Sequence, residues 1–111
     1  MNEILKTEDE VVRWSVKKIN DDTTLIEFEL KRDLVPEDLK KINPPDAVKN
    51  KFANTFIVLS GRGPIWLYGF LIHFYHPTKG IGVFDPRLGG AVVVSSHSPN
   101  KKVGDVIKWE G

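Results

Sequence analysis

The 111-residue chain contains no cysteine. Disulfides and thiolate chemistry are excluded, and nothing points to an oxidising compartment. A charge imbalance is missing too: 16 lysines and arginines stand against 15 acidic residues, a formal net charge of +1. Proteins that coat long nucleic acids carry a clearly basic stripe, so that class is disfavoured. A small anion gripped by a few placed groups is not. The longest apolar stretch, residues 65–75, is too short to cross a bilayer and is interrupted by His73. Residues 1–10 are polar and acidic rather than a secretory leader. No repeat, low-complexity tract, HExxH motif or Cys/His zinc spacing is present. The expectation is one cytoplasmic domain over residues 1–111, with 1–10 as a loose lead-in and no membrane partner. A domain of this size buries only roughly two-thirds of its unfolded surface, so oligomerisation would help its stability.

What is present is hydrophobic patterning. Residues 11–19 and 23–31 alternate polar and apolar around the turn signal Asn20, Asp21 and Asp22, which predicts a hairpin of half-buried strands. Residues 36–42 fit a short helix, opened by Pro36 and closed before Pro44 and Pro45. Residues 46–53 are polar and specify no element. Phe56, Ile57, Val58 and Leu59 form a continuous apolar run, the pattern of a strand buried on both faces. After Ser60, Gly61, Arg62 and Gly63, Pro64 stands where a helix takes its first residue. Residues 65–75 are apolar all round, which predicts a helix buried on more than one side, ended by Pro77. Residues 81–84 and 91–94 read as further buried strands, separated by a turn over 85–90. Residues 103–109 read as a last, edge-like strand. A strand–loop–helix–strand unit makes its two strands parallel through a right-handed crossover. The expected fold is therefore α/β: a minimal Rossmann-like mixed sheet with a parallel centre, antiparallel additions and packed helices.

In open α/β sheets, ligands bind outside the carboxyl ends of the parallel strands. The loop of Ser60, Gly61, Arg62 and Gly63 occupies that place. Its glycines let the backbone approach a ligand, and the following helix presents its positive end to an anion. Arg62 can grip phosphate with two prongs, and Ser60 adds a hydroxyl. A plain strand-to-helix turn with a solvated arginine explains the same residues equally well. The loop is neither a P-loop nor a dinucleotide fingerprint. Asp85 and Arg87 end the second parallel strand, on the edge that carries the loop. They can form a local ion pair that holds the turn, or supply a carboxylate for a metal or a 2′-hydroxyl and a guanidinium for phosphate. His73 lies within the apolar helix and reads as a core or interface residue. His76 ends that helix and His97 follows the returning strand, so both fall at the far edge. A histidine there can be an acid/base catalyst or a metal ligand, or the two can meet by accident.

Several segments together carry a resemblance. Residues 60–67, Tyr75 with His76, residues 85–89, residues 91–94, and Ser96, His97 and Ser98 resemble the small stand-alone ring nucleases of type III CRISPR systems. Those are distant relatives of the CRISPR-associated Rossmann-fold sensor domains. The likeness is close over residues 55–98, looser elsewhere, and finds no counterpart for the extension up to Lys17. It implies a homodimer that binds cyclic tetra-adenylate and cleaves it with Mn2+, switching off CRISPR signalling. It also implies a second substrate, RNA poly(A) tails, shortened by manganese-dependent deadenylation. Ser60 and Arg62 would contact the ring. His76, Asp85 and Arg87 would serve cleavage, with Asp85 the candidate metal ligand. Two dimers would sandwich the ring head to tail as a tetramer. That bears on a difficulty in the residue order, since a helix of about 12 residues is ~18 Å long. The loop and His76 therefore cannot easily serve one ligand within one subunit.

Overall fold

The computed structural model describes residues 1–109; the last two residues of the expected domain, 110 and 111, lie outside them. Seven strands, β1 (Asn2–Glu8), β2 (Val12–Asn20), β3 (Thr23–Leu30), β4 (Phe56–Gly61), β5 (Gly80–Asp85), β6 (Gly90–Ser96) and β7 (Val106–Ile107), form one sheet in sequential order. The single α-helix among the described residues, α1 (Ile65–Phe74), connects β4 to β5. β3, β4 and β5 run parallel, and every other pairing is antiparallel. The mixed α/β sheet with a parallel centre is the architecture the patterning predicts.

Sequential order has a geometric consequence. Two right-handed crossovers that step across a sheet in the same direction lie on the same face. The 31–55 connection and α1 accordingly share one core with the sheet. Ile42 and Phe52 from the first, and Leu67, Leu71 and Tyr75 from around the second, join Trp14, Ile26, Phe28, Ile57, Leu59 and Ile81. The opposite face holds a much smaller cluster of Leu25, Val58 and Ala91, flanked by Ile19, Phe84, Ile107 and Trp109. One face is thickly covered and the other thinly.

Five expectations are corrected. Residues 1–10 are not a loose lead-in: β1 pairs antiparallel with β2. Asp9 fixes the turn between them, its carboxylate accepting the backbone N–H groups of Val11 and Val12, the Trp14 indole N–H and the Asn43 N–H at 2.8–3.2 Å. Burial opposes ionisation of Asp9, but the donors from Asn43, Val11, Val12 and Trp14 outweigh it and hold its carboxyl below the ordinary value. The expected helix over 36–42 is a five-residue 3-10 turn, Pro36–Lys40, and the last strand contracts to Val106–Ile107. Pro64 is the N-cap, with extended ψ of 152°, so the helix opens one residue later. Finally, α1 is not buried on several sides. Leu67 and Leu71 face the core at 0% exposure, while Ile65 is 87% exposed, and Trp66 and Phe74 also stand open. A uniformly apolar helix does not reveal which of its sides the same chain covers.

Candidate functional site

The loop begins inside the sheet. Ser60 and Gly61 complete β4, pairing in register with Glu27 and Phe28 of β3. Gly61 is required there by packing: a Cβ would stand 2.5 Å from the Phe28 carbonyl oxygen. Gly63 likewise lies against the Leu67 and Phe28 side chains. The Tyr68 hydroxyl, one turn into α1, donates to the Gly61 carbonyl at 2.6 Å, and the Tyr68 ring packs edge-on against Phe28. Tyr68 therefore fastens the helix to the loop, a role sequence reading missed. Its only advance signal is an aromatic residue seven positions beyond Gly61, the first glycine of the loop.

Ser60 and Arg62 diverge from this anchored segment. Ser60 lines a cavity on the thinly covered face, together with Glu27 and Phe84. Arg62 is exposed and opens into a groove of about 500 Å³ formed by Phe28, Glu29, Leu30, Arg32 and Asp33. Among the described residues, Arg62 has no carboxylate within ion-pair distance, whereas its neighbour Arg32 is held by Asp38 at 2.7 and 2.9 Å. Arg62 is thus the guanidinium left for an external anion.

Asp85 and Arg87 close the same edge. Val83 pairs with Leu59, so Asp85 lies level with Gly61, two residues further along each strand. The Asp85 carboxylate accepts the Arg87 backbone N–H at 2.9 Å and faces the Arg87 guanidinium at 3.7 Å. The local ion pair and the turn-holding role are both formed. That does not use up Arg87, whose side chain is 84% exposed, or the remaining lone pairs of Asp85.

The histidines lie at the other edge. His76 follows the end of α1, and the backbone N–H of His97 donates to the Lys79 carbonyl at 2.9 Å. The two rings meet edge to face, with centroids 5.0 Å apart. His97 Nδ1 lies 3.0 Å from the Thr78 carbonyl oxygen. A carbonyl only accepts, so Nδ1 carries the proton and Nε2 is left as the basic nitrogen. Lys79 and Lys101 stand on the same edge around Asp22, at 2.5 and 4.0 Å. Neither lysine was singled out from the sequence. His73 is exposed on the outer side of α1 rather than in the core. The five steps along β5 from Gly80 to Asp85 span about 17 Å, so the structure brings His76 to His97, and Asp85 and Arg87 to the loop, but not the two groups to each other.

No three histidine, aspartate or glutamate side chains come together among the described residues in a way that would hold a metal ion. Asp85 in one chain is a single donor, and the two histidine rings supply two. No helix among the described residues is long and apolar enough to cross a membrane.

A family model described as CRISPR-associated protein (Cas_csx3) matches residues 27–108. The chain belongs to this family. The match begins within β3 and runs through β7, and so includes the loop, α1 and both edges. β1, β2 and the first half of β3 lie outside it.

Proposed function

We propose that this member of the Cas_csx3 family binds cyclic tetra-adenylate at the loop edge and cleaves it at the histidine edge of another subunit, ending a CRISPR signal. The observation that carries the reading is the split itself. Arg62, unpaired among the described residues, and Ser60 open on two sides of one edge, a preset histidine pair forms the opposite edge, and the motif resemblance assigns both edges to one ligand. Stacking chains head to tail apposes the edges. The exposed apolar side of α1, with Ile65, Trp66 and Phe74, favours a homodimer, and at Gly69 a Cβ would meet nothing within 4 Å, which leaves room for close approach.

A ribonucleotide ring carries its own nucleophile. The 2′-hydroxyl attacks the adjacent phosphorus as its proton passes to a base. The O2′–P bond forms, the P–O5′ bond breaks, and the O5′ leaving group takes a proton from an acid. The products are a 2′,3′-cyclic phosphate and a 5′-hydroxyl. His97 Nε2 and the His76 ring suit the two proton transfers. Arg62 from one chain, and from the other the cluster of Lys79 and Lys101 around Asp22 with its one surplus positive charge, oppose the charge that builds on the phosphate. Manganese belongs to this reading as an ion completed by donors from more than one chain, since the donors of one chain do not suffice.

The test is incubation of labelled cyclic tetra-adenylate with the protein, with and without manganese. Linear products ending in a 2′,3′-cyclic phosphate are expected. Tight binding without products would leave a sequestering module. Shortening of poly(A) RNA in preference to the ring would point to the deadenylating alternative, which a net charge of +1 does not favour.

A further inference from the structure

The thinly covered face of the sheet contains a cavity of about 320 Å³ next to Ser60, within the range of small-ligand sites. Three adjacent strands build one wall. Glu27 pairs in register with Ser60, and Phe84 follows Val83, the partner of Leu59, so Glu27, Ser60 and Phe84 form a row across the sheet. Leu25 lies beneath, and Trp109 packs on Phe84 with ring centroids 5.6 Å apart. Lys17 reaches over from β2 and pairs with the Glu27 carboxylate at 2.7 Å. The site thus combines aromatic ring faces, a carboxylate fixed in position by a lysine, and a hydroxyl shared with the loop.

The geometry points to this cavity as a nucleobase pocket that takes an adenine of the bound ring. This rests on the reading of the Ser60 edge as the place where the ring binds. Phe84 and Trp109 supply the apolar surface on which a base stacks. Adenine presents an exocyclic amine, a donor, beside ring nitrogens that accept. Glu27 accepts from the amine, and the Lys17 ammonium donates to a ring nitrogen. A 6-oxo purine presents an acceptor where adenine has the amine, and so places a carbonyl oxygen against the carboxylate. Lys17 and Leu25 lie outside the residues matched by the family model, so part of the pocket comes from this chain's own β2–β3 hairpin.

The experiment follows the Trp109 indole N–H resonance, assigned with Trp109→Phe, during titration with AMP, IMP and cyclic tetra-adenylate. AMP should shift this resonance saturably and bind about tenfold more tightly than IMP, and Glu27→Ala should cancel that preference. Glu27 is a partly exposed surface residue, so the variant is expected to fold, and circular dichroism checks that it does. Equal affinity for AMP and IMP, or no AMP-induced shift at Trp109, overturns the pocket. The ring separates this failure from failure of the functional reading. If AMP shifts Trp109 but the ring does not bind, the pocket stands and the ring reading falls. If the ring binds through Arg62 while Trp109 and Glu27→Ala are silent, the ring reading stands and the pocket falls.

Discussion

The two ends of the β4–α1–β5 unit are built differently. At the loop end, the backbone is fastened by Phe28 and by the Tyr68 bond to Gly61, while Arg62 is left exposed and, among the described residues, unpaired. At the histidine end the side chains themselves are set: His97 is held by the Thr78 carbonyl and its ring meets that of His76. The first arrangement suits capture, since a free guanidinium can adjust to an arriving phosphate. The second suits proton transfer, which needs a defined tautomer and direction. On the proposed function, the difference makes capture and chemistry separable in this chain, so that each should be removable without the other.

The largest effect should come from the histidine end. His76→Ala is expected to lower the cleavage rate by about 10²- to 10⁴-fold, the range for loss of a positioned acid or base, with ring affinity nearly unchanged. Single-turnover assays beside equilibrium titration measure the two quantities. A parallel loss of affinity would mean that His76 grips the ring, and the contrast between the ends would collapse.

Arg62→Ala should do the reverse. Loss of a charge-assisted contact worth about 1.5–3 kcal/mol weakens ring binding roughly 10- to 150-fold. The rate at saturating ring should change far less. Unchanged affinity in the folded variant would return the loop to a plain strand-to-helix turn.

A smaller and sharper effect is expected on mixing. The His76→Ala variant still presents the ring, and the Arg62→Ala variant still offers its histidines. If the edges of different chains form one site, the mixture should be several-fold more active than either variant alone, and activity should rise more steeply than linearly with protein concentration. A dead mixture of folded variants would mean that both ends act within one dimer.

Much of this contrast was legible in the sequence, and the illegible parts have physical causes. Phe56, Ile57, Val58 and Leu59 announced a central strand because a parallel strand is buried on both faces. The topology that follows from it put His76 and His97 together. β1 stayed hidden because most of its side chains are exposed at a sheet edge, with Leu5 its contribution to the core. The exposed side of α1 was masked by its even hydrophobicity. The glycines suggested close ligand approach, whereas Gly61 already has the Phe28 carbonyl at its back. Tyr68, Lys79 and Lys101 were missed because their roles depend on contacts between distant segments, which spacing along the chain does not encode.

The smallest effect on the ligand should come from the second arginine of the loop-end groove. Arg32 lies beside Arg62, but Asp38 engages it through two hydrogen bonds. The bond from Arg32, then the Val35 N–H at 2.8 Å, brings the Asp38 carboxyl down to about 2. Because its folded pKa lies below the ordinary carboxylate value, Asp38 contributes stability that is fully present above about pH 4. That stability is lost as pH falls towards 2. Arg32→Ala should therefore flatten much of the decline in melting temperature between pH 4 and 2, because Asp38 then keeps only the Val35 N–H. It should also lower the melting temperature at neutral pH. Ring affinity should change little, since a guanidinium already occupied by a carboxylate has little left to give a phosphate. Thermal unfolding across pH, run beside ring titrations of Arg32→Ala and Arg62→Ala, separates the two arginines. If Arg32→Ala weakens the ring as much as Arg62→Ala does, the groove grips with both, and the loop end is a clamp rather than a single free arginine.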